Sequence, residues 1–171
     1  MEYHTNIKFI NIKQITKNKY NSNIMSDGTF EALKNNIAEN GFVGAILVRK
    51  HPLKNNMFEI IDGEKRYSVL KELGEEKVPC IILDYNDINT TINMIRFNRE
   101  HGYFDKNKTK TVVDDLIKKT NKLFVREVLH TGLKEFDALI DGKNKVFSEN
   151  DETSRYTNIL QESEKSKKLF L

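Results

Sequence analysis

Cysteine is nearly absent. Cys80 is the only one in 171 residues, which excludes an internal disulfide framework and a cysteine metal cluster. Long apolar runs are absent too: none approaches the roughly 20 residues that span a bilayer, so no membrane partner is expected. The first ten residues, MEYHTNIKFI, lack a basic n-region and an apolar h-region, which predicts no secretory signal and a cytoplasmic location. Charge of one sign is scarce as well. The 28 Lys and Arg against 25 Asp and Glu leave +3, less than most dedicated DNA-binding domains carry. His4, His51 and His130 are scattered without ligand spacing, so no zinc site is predicted. His101 near Arg99 reads as a surface group.

What the chain does have is enough to fold. At 38% hydrophobic and 31% charged it can bury a core, and its length suits one domain with a small appendage. NIKFINIKQI (6–15) is rich in β-branched and aromatic residues and predicts a first strand. Ser26 and Asp27 are candidate caps for a helix carrying Phe30, Leu33 and Ile37, stopped at Gly41. AILVRK (45–50) predicts a buried strand, Met57 to Ile61 the next one, and Glu64 to Leu73 a helix ending at Gly74. Pro79 opens a further short strand, CIIL (80–83). This is an α/β (α+β) pattern, a small mixed sheet with helices.

After Tyr85 the pattern turns helical. Asp87 is expected to cap a helix carrying Ile88, Ile92 and Ile95, with Arg96 and Arg99 near its end and Gly102 stopping it. Val112, Leu116 and Ile117 suit a second helix. FVREVL and LKEFDALI read as two short helices meeting at Gly132. Three parts are expected: an α/β core over 1–86, a helical extension over 87–142 that completes the site, and a polar, mobile tail over 143–171.

The chemistry concentrates in FEIIDGEKRYSVLKELGEEKVPCIIL (58–83), where a strand runs into Asp62-Gly63-Glu64-Lys65-Arg66 and then into a helix. A turn needs the glycine but none of the charges. Gly63 lets the backbone approach a ligand, and the helix start offers unpaired N–H groups and positive dipole to a phosphate. Lys65 and Arg66 add cations, Arg with two parallel donors. Glu64 is the odd residue, repelled by phosphate unless a metal or a proton transfer intervenes. A triphosphate with Mg²⁺ answers that. So does a plainer alternative, in which Glu64 only favours the helix dipole and both cations are solvated. Asp62 either caps the turn or joins Glu64 in catalysis. Cys80, inside an apolar strand, reads as a core residue.

These segments, with INIKQITKNKYNSNIMSDGTFEALKNNIAENGFVGAILVRK before and IRFNREHGYFD after, resemble the ParB/sulfiredoxin-like fold family, closest to the ParB N-terminal domain, from Lys8 to Asp105. In that family a Gly-Glu-Arg-Arg segment wraps the phosphates of a nucleoside triphosphate, CTP in the partition proteins. The resemblance implies that Gly63, Glu64, Lys65 and Arg66 bind phosphates, Glu64 also serving Mg²⁺ or hydrolysis. Gly41, Phe42 and Val43 would lie on the base or ribose side. Arg99 matches the arginine of the second phosphate motif, and Arg96 is added as a further phosphate ligand.

The chain also departs from the pattern. Ile95 and Arg96 stand where ParB proteins carry a Glu-Asn pair, Lys65 replaces an arginine, and Ala45 replaces a usual proline. Sulfiredoxin uses a cysteine where Glu64 stands, so that repair chemistry is excluded. The expected function is Mg²⁺-dependent binding of CTP or ATP with slow hydrolysis, in DNA partition, regulation or mobile-element maintenance. The alternative is a phosphotransferase acting on a small hydroxyl compound or modified base, as in the free-serine kinases of the same fold. A binding module without turnover is a third reading. Two-metal nuclease chemistry is not expected, because no acids cluster for it. VREVLHTGLKEF (125–136) sits where partition proteins place a helix-turn-helix, but Lys134, Glu135 and Asp137 make its second helix a poor fit to a DNA groove. Expected partners are the nucleotide, weakly and non-specifically held DNA, and a second copy in a homodimer.

Overall fold

The structure is a computed structural model that describes residues 6–100 and 105–130, together with Phe136 and Ile140. The stretch expected as one strand is two. β1 (Ile7–Asn11) gives way to a 3₁₀ turn (Ile12–Gln14) and then β2 (Ile15–Thr16). The Asn11 side chain accepts from Lys13 N at 2.9 Å and Ile12 N donates to Glu76 O at 2.9 Å, which breaks the extended run. Further along come α1 (Asp27–Asn40), β3 (Ile46–Lys50), β4 (Phe58–Asp62), α2 (Glu64–Glu72) and β5 (Lys77–Ile82). α3 (Asp87–Glu100), α4 (Lys106–Lys119) and α5 (Lys122–Val128) complete the described elements.

The five strands form one mixed sheet in the order β1-β5-β3-β4-β2. β1 runs antiparallel to β5 and β3 antiparallel to β4, whereas β5 is parallel to β3 and β2 to β4. β1 and β2 are at opposite ends of that order yet only three residues apart. A flat sheet would separate its outer strands by about 19 Å at the usual strand spacing of ~4.8 Å, while a three-residue 3₁₀ turn rises about 6 Å. The sheet therefore curls on itself. Pro79 sits inside β5, not at its start, and is tolerated because pairing to β3 begins only at Cys80.

Helices cover both faces. α1 and α2 bury Ile37, Tyr67, Val69 and Leu70 against Ile10, Ile46, Val48 and Ile60. On the other side α3 lays Met94 over Ile61 and Leu83. The helical part has its own apolar cluster, in which Ile92 and Ile95 meet Val112, Val113, Leu116, Val125 and Leu129. Ser26 caps α1 as expected, accepting from Thr29 N at 3.2 Å.

Asp87 does not cap α3. Asn86 takes that place, accepting from Asn89 N at 2.9 Å, which leaves the Asp87 carboxylate free to accept from Arg49 at 2.7 Å. Buried Arg49 also donates twice to Glu59 on the paired strand, at 2.6 and 2.8 Å. One guanidinium thus joins β3, β4 and the start of α3. The expected stop at Gly102 and the tail over 143–171 lie outside the described residues, as does most of LKEFDALI. No described helix is long and apolar enough to cross a membrane.

Candidate nucleotide site at the β4–α2 turn

β4 carries a bulge just before the turn: Val48 pairs with Ile60 but Leu47 with Asp62, so Ile61 is the extra residue. Gly63 follows at φ 91, ψ 22, in the left-handed region, and occupies the N-cap of α2. A Cβ there would lie 3.0 Å from Arg66 Nη2 and 3.1 Å from Ile46 Cδ1. The dihedral calls for glycine, and the close approach leaves a Cβ little room. Having no side chain, Gly63 offers no acceptor to the first-turn amides of α2. Tyr67 pins the helix from below, its hydroxyl donating to Ile15 O at 3.1 Å. Burial pushes its pKa up.

Arg66 lies over this turn. Its Nη2 donates to Asp62 Oδ2 at 3.0 Å, and its Nη1 would meet a Cβ on Gly44 at 3.4 Å. The guanidinium is thus seated between two glycines of positive φ, Gly44 at 99 and Gly63 at 91. Asp62 orients Arg66 and does not cap the helix.

Glu64 is held at both oxygens. Oε2 accepts from Asn21 Nδ2 at 2.7 Å and Oε1 pairs with Lys17 Nζ at 3.4 Å, with the carboxylate side chain 16% exposed. Lys65 makes no ion pair with the described residues. Gly41 ends α1 at φ 79, Phe42 packs against the sheet core, and Val43 is 85% exposed.

Arg96 is not brought to this turn. Its Nη2 donates to Val128 O at the end of α5 and meets His130 Nε2 at 3.1 Å. The physical reason is its helical face: it follows Ile92 by one turn, on the side that packs against α4 and α5. Ile95, the other departure from the family pattern, is buried in that same cluster. Arg99 lies in the last turn of α3, with its side chain outside the described part, and His101 lies outside it altogether. Lys17, Asn21, Gly44 and Asn98 are missed by sequence reasoning. Gly44 had a local signal, the Gly41-x-x-Gly44 spacing. Lys17, Asn21 and Asn98 had none, because they reach the site from distant segments.

Residues 2–98 match the family model described as the ParB N-terminal domain. The chain belongs to that family. Among relatives, the nucleoid occlusion protein of Bacillus thuringiensis (strain Al Hakam) is 38% identical over 85 residues, 49% of this chain and 29% of that protein. The match thus spans less than a third of that relative. The C-terminally truncated chromosome-partitioning protein ParB of Caulobacter crescentus shares the fold in two solved states. Complexed with CTP-gamma-S, it aligns at TM-score 0.52 and 18% identity over 79% of this chain and 77% of that one. Complexed to the centromeric parS site, it aligns at TM-score 0.55 and 16% identity over 78% and 70%. As a ParB N-terminal domain this chain carries the family's strand-turn-helix at 58–72, but it uses Ile95 and Arg96 for packing and for tying down α5.

Proposed function

We propose that this ParB-family domain binds a nucleoside triphosphate, CTP or ATP, at the turn from Gly63 to Arg66, and serves DNA partition or mobile-element maintenance. The observation that carries the reading is the Arg66 guanidinium seated over left-handed Gly63 at a helix start without a side-chain cap. Helix-start amides, dipole and a pre-oriented arginine meet at that turn, the combination that binds a phosphate. The CTP-gamma-S complex of the Caulobacter protein, alike in fold, supports the choice of ligand class. Lys65 adds charge at the rim, Gly41, Phe42 and Val43 border the base or ribose, and Arg99 supplies a phosphate contact from α3. Residues 1–86 form the core of the site and 87–142 complete it, with 143–171 as a tail.

Among the described residues no group of three or more His, Cys, Asp or Glu is placed to hold a metal ion. Glu64 alone fits Mg²⁺ held mainly by phosphates and water, as that ion prefers, and would supply its single protein carboxylate. The ion would neutralise phosphate charge. The kinase alternative has no observation of its own, since Asp62 Oδ2 accepts from Arg66 and so serves to place the phosphate-binding arginine.

A thermal-shift screen of CTP, ATP, GTP and UTP, each with and without Mg²⁺, tests the reading. A ligand at 100 times its Kd adds about 2.7 kcal/mol, so one triphosphate with Mg²⁺ should raise the midpoint by several degrees. No shift with any of the four overturns it.

A further inference from the structure

The loop between β2 and α1 carries polar side chains that are buried although no element of secondary structure needs them. Asn18 is 6% exposed and Ser22 is 4%. The loop is held by its own amides: Asn18 Oδ1 accepts from Tyr20 N at 2.8 Å, and Asn21 Oδ1 accepts from Asn23 N at 3.0 Å. That second bond settles which way the Asn21 amide points. The backbone N–H of Asn23 can only donate and the Glu64 carboxylate can only accept, so Oδ1 faces Asn23 and Nδ2 faces Glu64 at 2.7 Å.

The same loop is tied to the helical part. Asn98, near the end of α3, donates from Nδ2 to Asn21 Oδ1 and to Ser22 Oγ, both at 3.3 Å. Asp105 N, at the cap of α4, donates to Ser22 O at 2.7 Å. A continuous path of side-chain hydrogen bonds therefore runs from α3 through Asn98 and Asn21 to Glu64. Aspartate in Asn21's place would set two carboxylates against each other, and alanine would leave Glu64 with Lys17 as its partner.

We propose that Asn21 is a positioning residue for Glu64, and that through Asn98 it makes the orientation of that carboxylate depend on where the C-terminal half of α3 sits. The proposal rests on the reading of the turn as a nucleotide site. It adds a coupling: a ligand or partner that displaces the end of α3 alters Glu64 without touching it.

Phosphate release from the preferred triphosphate with Mg²⁺, read in the full chain, tests the coupling by epistasis. Asn21→Ala should lower kcat at least tenfold with KM changed less than threefold. Asn98→Ala, which leaves the turn itself untouched, should lower kcat about threefold. The double variant should be no slower than Asn21→Ala, because the two residues act in series. In a Glu64→Gln background neither substitution should lower kcat further. Equal losses with and without Glu64 would make Asn21 a structural residue and overturn the proposal. A second readout needs no nucleotide: both single substitutions should move the ¹³C shift of the Glu64 carboxyl in the same direction. A wild-type chain without turnover removes the functional reading alone, and the coupling is then decided by that shift. An unmoved carboxyl in Asn98→Ala overturns it.

Discussion

Arg66, in the first turn of α2, reaches back to Asp62 at the end of β4, its Nη2 donating to Oδ2 at 3.0 Å across left-handed Gly63. The pair is partly open to solvent, so its contribution to folding is small, about 0–1 kcal/mol. Its consequence is geometric, since the guanidinium is already in place before an anion arrives. Arg66→Ala should therefore cost nucleotide affinity at least tenfold, in line with about 1.5–3 kcal/mol for a charged hydrogen bond. The midpoint of the free protein should hardly move. An apo protein that melts much earlier with affinity kept would make Arg66 structural. Calorimetry and a melting curve on one sample decide it.

Glu64→Gln keeps the size and removes the charge. Triphosphate binding should be preserved or strengthened, because a repulsion is gone, while turnover falls by roughly 10² or more. Titration calorimetry with Mg²⁺ and phosphate release measure the two separately. Wild-type turnover in this variant would reduce Glu64 to a favourable acid in the first helical turn.

DNA binding should be weak and indifferent to sequence. α4 carries several lysines, but Lys110 is paired with Asp114 at 3.0 Å and Lys118 lies 3.8 Å from Asp115. With a net charge of only +3, affinity should fall steeply between low and physiological salt, as phosphate contact alone does. Fluorescence anisotropy on unrelated duplexes should give affinities within about threefold of one another. A nanomolar, sequence-selective complex at physiological salt contradicts this.

Glu59→Gln should be among the most destabilising changes of a single charge. Arg49, 6% exposed, would keep only the exposed Asp87 carboxylate as a counter-charge, and removing the buried partner of such a pair costs up to about 3–5 kcal/mol. Asp87→Ala should cost far less, about 0–1 kcal/mol, because that side chain is 64% exposed. Urea unfolding of both variants gives the ordering, and equal losses would contradict it.

Cys80 should be chemically silent in the native state. It is fully buried, and desolvation pushes its thiol up to about 12, far from the thiolate that reacts. A thiol reagent at pH 8 should label it only on unfolding. The linkage has a definite sign. The unfolded thiol ionises near 9.0 and the folded one near 12, so its contribution is whole below pH ~9 and is lost as pH rises through 12. Cys80→Ala should flatten that alkaline decline in a pH series of unfolding curves.

Local signals in the sequence were enough for the helix started by Ser26, the strand ending at Lys50, the next strand to within one residue at each end, and the glycine turn into Glu64. Each rests on contacts within a few residues: a cap, an alternation, a backbone that only glycine adopts. The fate of the charges was settled elsewhere. Asp87 turned to Arg49, 38 residues away, because Asn86 could cap in its place. Arg96 turned to Val128 because its helical face looks toward α5. Asn21 reached Glu64 across 43 residues, from a loop with no periodicity to announce it. The first apolar stretch became two strands because the curled sheet needed both of its edges supplied there. Local residue patterns determined which elements form and where the backbone bends. Only the tertiary structure decided which charge meets which, because a pairing across tens of residues depends on the path of the whole chain and leaves no mark in either neighbourhood.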